Sequence, residues 1–172
     1  MYKLLITLFL FVETSIYTLS FSDIDGTSIS MSSYRGKKLL LVNIATASRN
    51  ADQLAELEQL QQQFKDRLVV IAFPSNSFAH ESKSNAEIKK FCKTNYNATF
   101  KIAGKSSVAG STSHPIFSWL TSKTKNGVMD GLVSGDFQKY LIDEQGNAVG
   151  VFSPSVRPLD SLITDAINAV YQ

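Results

Sequence analysis

Few side chains in this 172-residue chain carry reactive chemistry, and their scarcity is informative. Cys92 is the only cysteine, so the chain can form neither an internal disulfide nor an all-cysteine metal site. His80 and His114 are the only histidines, and neither belongs to a metal-ligand spacing such as HExxH. No structural metal is expected, and no cofactor is implied. Ser48 lies in the tract ATASRN at 45–50. No Gly-x-Ser-x-Gly elbow surrounds it, and no acid can be assigned from the sequence to orient either histidine as its base. The hydroxyl is better suited to satisfying backbone donors near a helix start. Arg49 adds a charge beside it. With Lys101 and His80 it would make a modest anion-binding rim, against the simpler reading of an exposed arginine without a partner.

These residues need elements to hold them. Residues 39–45 (LLLVNIA) form a continuous apolar run, as expected of a strand buried on both faces, and residues 68–73 (LVVIAF) form a second. Between them, Leu54, Leu57 and Phe64 predict a helix, with Asn50 and Gln53 placed to cap its start. Ser84 and Glu87 have the spacing of a capping box and open a helix through Tyr96. Ile88, Phe91, Cys92 and Tyr96 recur on its apolar stripe, which places Cys92 inside as a structural thiol. Pro115 follows His114 as the first residue of a further helix carrying Ile116, Phe117, Trp119 and Leu120.

Residues 137–142 and 148–152 read as a hairpin turning at 143–146 (DEQG), and a final helix is expected from Pro158 with Leu159, Leu162, Ile163, Ile167 and Val170 on its stripe. Near the start, residues 16–21 predict a short strand, and Asp25 and Gly26 turn it into 28–31. Asp23, Asp25 and Gly26 resemble the opening of a calcium loop, but no closing glutamate follows, so a turn is the better reading. The order gives a mixed sheet with helices on both faces.

An apolar content of 44% and a charged content of 19% are ordinary for one globular domain. A net charge of +2 with no basic block argues against a nucleic-acid partner. Residues 1–15 have the outline of an export signal, with Lys3, an apolar run over 4–12 and small residues after it. That run is far short of the ~20 residues that cross a membrane as a helix, so no integral membrane protein is expected. The domain is then expected over 16–172, in a periplasmic or secreted setting.

Six tracts in order resemble the glutathione peroxidase family over nearly all of 16–172. They are DIDG at 23–26 with YRGK at 34–37, LVNIA at 41–45, FPSNSF at 73–78 with Glu81 and SNAEI at 84–88, FCKTNY at 91–96 with TF at 99–100, HP at 114–115 with WL at 119–120, and FQKYLID at 137–143. The resemblance implies a thioredoxin-like fold. It also implies a peroxidase site in which a cysteine or selenocysteine thiolate attacks the O–O bond, assisted by a glutamine, a tryptophan and an asparagine. By the same resemblance those positions fall on Ser48, Ser77, Gly135 and Asp136, so none is intact. Lys101 stands where the family commonly has proline, and the 78–84 loop is about one residue short.

A serine hydroxyl ionises far less readily than a thiol and has no sulfenic-acid cycle, so the implied outcome is a family member without the family's peroxidase activity. A ligand or protein partner at the former cleft would be its remaining role. Glutathione or thioredoxin enters only if activity persists through Cys92 or a partner's thiol.

Overall fold

The computed structural model describes residues 14–171. Its centre is a five-stranded sheet ordered β5-β4-β3-β6-β7. The strands are β3 (Lys38–Ile44), β4 (Leu68–Pro74), β5 (Lys101–Ile102), β6 (Lys139–Ile142) and β7 (Ala148–Phe152). β3, β4 and β5 run parallel, while β6 lies antiparallel to β3 and β7 antiparallel to β6. Every residue of β3 is buried, Lys38 and Asn43 among them, as its largely apolar run leads one to expect of a strand covered on both faces. Period-two alternation divides the core. Leu40, Val42 and Ile44 pack with α1 (Gln53–Gln63), α2 (Asn85–Tyr96) and α5 (Ser161–Asn168). Leu39 and Leu41 pack on the other face with α3 (Pro115–Leu120) and the N-terminal segment. This is the mixed sheet covered on both faces that the sequence predicts.

Several boundaries differ from expectation. Residues 16–18 form a 3-10 turn capped by Ser15, leaving only β1 (Ser20–Ser22) to pair with β2 (Ser28–Ser30). In the hairpin turn the Asp23 carboxylate accepts the N–H groups of Asp25 and Thr27, and Gly26 takes φ +88°, a turn's chemistry. Neither Asn50 nor Gln53 caps α1. Asp52 occupies the cap position without a side-chain bond, because consecutive turns through 48–54 already use the early N–H groups. The Ser84–Glu87 capping box on α2 is present in full.

The last helix starts at Ser161, with Asp160 as its cap, rather than at Pro158. It turns only Ile163 and Ile167 inward and leaves Leu159, Leu162 and Val170 exposed. α4 (Lys123–Asn126) and β5 are too short to leave a periodic signal. The export segment expected over 1–15 lies outside the described residues except for Thr14 and Ser15. Among the described residues no helix is long and apolar enough to cross a membrane.

Candidate functional site

Three segments meet at the C-terminal end of the central strands. The first is the turn over 45–52, between β3 and α1. The Glu81 carboxylate, fully buried, fixes it by accepting the Thr46 N–H at 2.7 Å and the Thr46 hydroxyl at 3.0 Å. The Ala47 N–H donates to the His80 carbonyl at 3.1 Å, which ties the turn to the second segment, the 75–83 loop after β4. The third is the approach to β6 over 134–138. Asn43 on β3 holds it, its side-chain Nδ2 donating to the Gly135 carbonyl at 2.9 Å and its backbone carbonyl accepting the Phe137 N–H at 2.6 Å.

Together these segments wall a cleft of about 620 Å³ lined by Ala47, Ser48, Arg49, Asn50, Phe78, His80, Ser134, Gly135, Asp136 and Pro154. That volume suits a small organic ligand. Ser48 is nearly buried, and its Oγ accepts the Asn50 N–H at 3.3 Å, the local backbone role expected of it. In the same cleft, His80 Nδ1 lies 2.6 Å from Asp136 Oδ2. The His80 side chain is 53% exposed and that of Asp136 only 3%, so a buried carboxylate holds an imidazole that opens to the cleft. Asp136 Oδ1 has no partner among the described residues. Non-glycine residues flank both members in left-handed backbone, Ala79 at φ +62° and Phe137 at φ +68°. Such conformations cost of order 1–3 kcal/mol each and persist where the surrounding structure over-determines them. For Phe137 the ring, fully buried in the core, supplies that constraint.

The geometry sorts the residues singled out by sequence. Ser48, Arg49, His80, Gly135 and Asp136 share the cleft. Ser77 does not. Its hydroxyl is bonded to Ser75 and accepts the Val108 N–H at 3.0 Å, stapling the loop to the 105–108 segment on another face. Lys101 is also elsewhere, because pairing of β5 with β4 places it in a groove with Lys89 and Lys93. The rim is therefore Arg49 and His80 alone, and Arg49 has no ion-pair partner among the described residues. His114 caps α3, its Nδ1 accepting the Ile116 N–H at 3.2 Å, and burial pushes its pKa down. Cys92 is fully buried between α2 and the sheet. Burial, with Glu81 adding to it, pushes the thiol up to about 11. No group of three or more metal-ligating side chains occurs among the described residues.

Two contacts lay beyond sequence reasoning. Asp136 is the acid that orients His80, across 56 positions of chain. Lys139, fully buried, donates to Gln53 Oε1 at 2.5 Å and to the Val156 carbonyl at 2.5 Å, with the Pro154 carbonyl at 3.3 Å, joining β6 to the start of α1 and to the cleft wall. No local pattern announces either contact, since the partners lie 15 or more residues away and some accept through backbone carbonyls.

A family model described as glutathione peroxidase matches residues 16–121. The glutathione peroxidase of Lactococcus lactis subsp. cremoris is 35% identical over 144 residues, covering 83% of this chain and 91% of that one. The glutathione peroxidase homolog BsaA of Bacillus subtilis is 33% identical over 146 residues, covering 84% and 91%. Among solved structures, Trgpx in its apo form superposes with a TM-score of 0.69 at 26% identity, over 91% of this chain and 97% of that one. By the extent of the matched residues, the identity of its relatives and its thioredoxin-like fold, this chain belongs to the glutathione peroxidase family.

Proposed function

We propose that this family member does not reduce peroxides by the thiolate route and instead binds a small ligand in the cleft walled by Ser48, Gly135 and Asp136. The reading is carried by one observation: the turn that presents its side chain to the cleft from the β3–α1 junction carries a hydroxyl, and no thiol lines that cleft. Peroxide reduction needs a soft, ionised nucleophile that can pass through a sulfenic acid. Ser48 meets neither condition. Cys92, buried and pushed up to about 11, has neither the access nor the thiolate population to substitute. Asp136 places a carboxylate where it would raise, not lower, the pKa of a neighbouring thiol. Export of the chain, from the character of residues 1–15, belongs to the same proposal and is checked by cell fractionation.

The test is peroxide consumption by the purified chain with hydrogen peroxide and an organic hydroperoxide, glutathione and thioredoxin each being supplied as reductant. No turnover above the blank is expected. Turnover that vanishes in Cys92→Ala would overturn the reading and make this a thiol peroxidase with a relocated nucleophile.

A further inference from the structure

The cleft is lined by three groups of the kinds that acyl transfer uses. A nucleophile needs a base within reach, a carboxylate to orient the base, and an N–H donor where an oxyanion develops. Asp136 Oδ2 lies 2.6 Å from His80 Nδ1, and an ionised carboxylate oxygen can only accept there, so Nδ1 donates and, in the neutral imidazole, Nε2 carries the lone pair. Nε2 has no hydrogen-bond partner among the described residues. Ser48 lines the same cleft from a strand-to-helix turn, between β3 and α1. The N–H groups of Ala47, Ser48, Asn50 and Ala51 are all occupied, whereas that of Arg49, the residue immediately after Ser48, has no acceptor among the described residues. In strand–turn–helix hydrolases the N–H following the nucleophile serves as an oxyanion donor.

We infer that Ser48, His80 and Asp136 form a serine-hydrolase site for short-chain carboxylic esters, with the Arg49 N–H as the oxyanion donor. The inference rests on the reading that the cleft takes a small ligand in place of peroxide. In the first half-reaction Ser48 Oγ leaves its local bond with Asn50 and attacks the ester carbonyl as its proton passes to His80 Nε2. The carbonyl π pair moves onto oxygen against the Arg49 N–H. Collapse breaks the bond to the alkoxy group, which takes the proton from Nε2 and departs as the alcohol. Water then repeats the sequence on the acyl-serine, releasing the carboxylic acid and restoring Ser48. Asp136 acts through His80, as a positioning residue. Rotation of the Ser48 hydroxyl toward Nε2 on substrate binding is part of the inference, since catalytic hydrogen bonds often tighten only in the Michaelis complex.

The experiment uses the intact chain with p-nitrophenyl acetate and a fluorophosphonate probe, beside Ser48→Ala, His80→Gln and Asp136→Asn, each checked for an unchanged denaturation midpoint. Expected are a fluorophosphonate adduct mapped to Ser48, loss of ester turnover in Ser48→Ala, and a fall of about 10²–10⁴-fold in His80→Gln, the range for a removed general base. Asp136→Asn should change the pH profile of turnover as well as its height, which a purely structural role would not do. Absence of a Ser48 adduct, or ester turnover equal in wild type and Ser48→Ala, would overturn the inference. So would turnover that depends on His80 but not on Ser48. The peroxide assay on the same preparation separates this failure from that of the underlying reading: peroxide turnover sinks both, and its absence with no Ser48 adduct sinks only the hydrolase.

Discussion

Replacing Lys139 with methionine tests how the cleft wall is held. The amine is fully buried with three oxygen acceptors and no carboxylate in contact. Burial is the largest influence on it and, with Arg157 adding to it and Glu56 opposing, pushes its pKa from the ordinary 10.5 down to about 8. A depressed base binds fewer protons in the folded than in the unfolded chain between those two values. Stability must therefore rise with pH across that window, the charged form being penalised at every pH below it. The full fall corresponds to about 3 kcal/mol, of which about 2 kcal/mol should be recovered between pH 6.5 and 9.5.

Lys139→Met keeps most of the side-chain length and removes the titration. Urea denaturation of both proteins at pH 6.5, 8 and 9.5 should show the wild-type stability, measured relative to the variant, growing by that amount. Taking the difference cancels groups common to both, including Tyr140, whose pKa burial pushes up to about 12. A difference that stays flat or shrinks with pH would refute the reasoning. It would mean that Gln53, Pro154 and Val156 solvate the ammonium as well as water does.

Two further substitutions probe the scaffold of the same end of the sheet. Glu81→Ala removes a buried acceptor from two donors of Thr46 and should cost about 3–5 kcal/mol in denaturation, since each is a hydrogen bond to a charged group. If the turn is fixed by that carboxylate, ligand or ester turnover at Ser48 falls with it; a loss under 1 kcal/mol, by the same scale, would show the turn to be held otherwise. Gly146→Ala places a Cβ 2.5 Å from Tyr17 Cε2 at a backbone φ of +96°. Strain and clash together should exceed about 1 kcal/mol and lower the thermal midpoint by at least several degrees, whereas an unchanged midpoint would contradict the packing of Tyr17 beneath the β6–β7 turn.

The sequence alone determined what depends on neighbours along the chain. The run over 39–45, six apolar residues broken only by Asn43, specified a strand covered on both faces, because its short length and lack of alternation leave no solvent-facing side. Ser84 and Glu87 specified where α2 begins, because a capping box needs only residues three apart. The stripe through Ile88 and Cys92 was enough to place the thiol inside. The apolar stripe failed for the last helix, because Leu159, Leu162 and Val170 fit a period that tertiary packing does not use.

The tertiary structure decided the site. Ser77 and Lys101 are polar residues close in sequence to the cleft-forming loop or strand, yet strand pairing and the 105–108 segment carry them to other faces. The family resemblance put Asp136 at the former site and His80 was expected on its rim, but only the β4–α2 loop and the approach to β6 bring the two to 2.6 Å. The acid that sequence could not assign to a histidine is Asp136. It is found only where two segments 56 residues apart are held side by side by Asn43, Ala47 and the buried ring of Phe137, and no local pattern encodes a contact of that range.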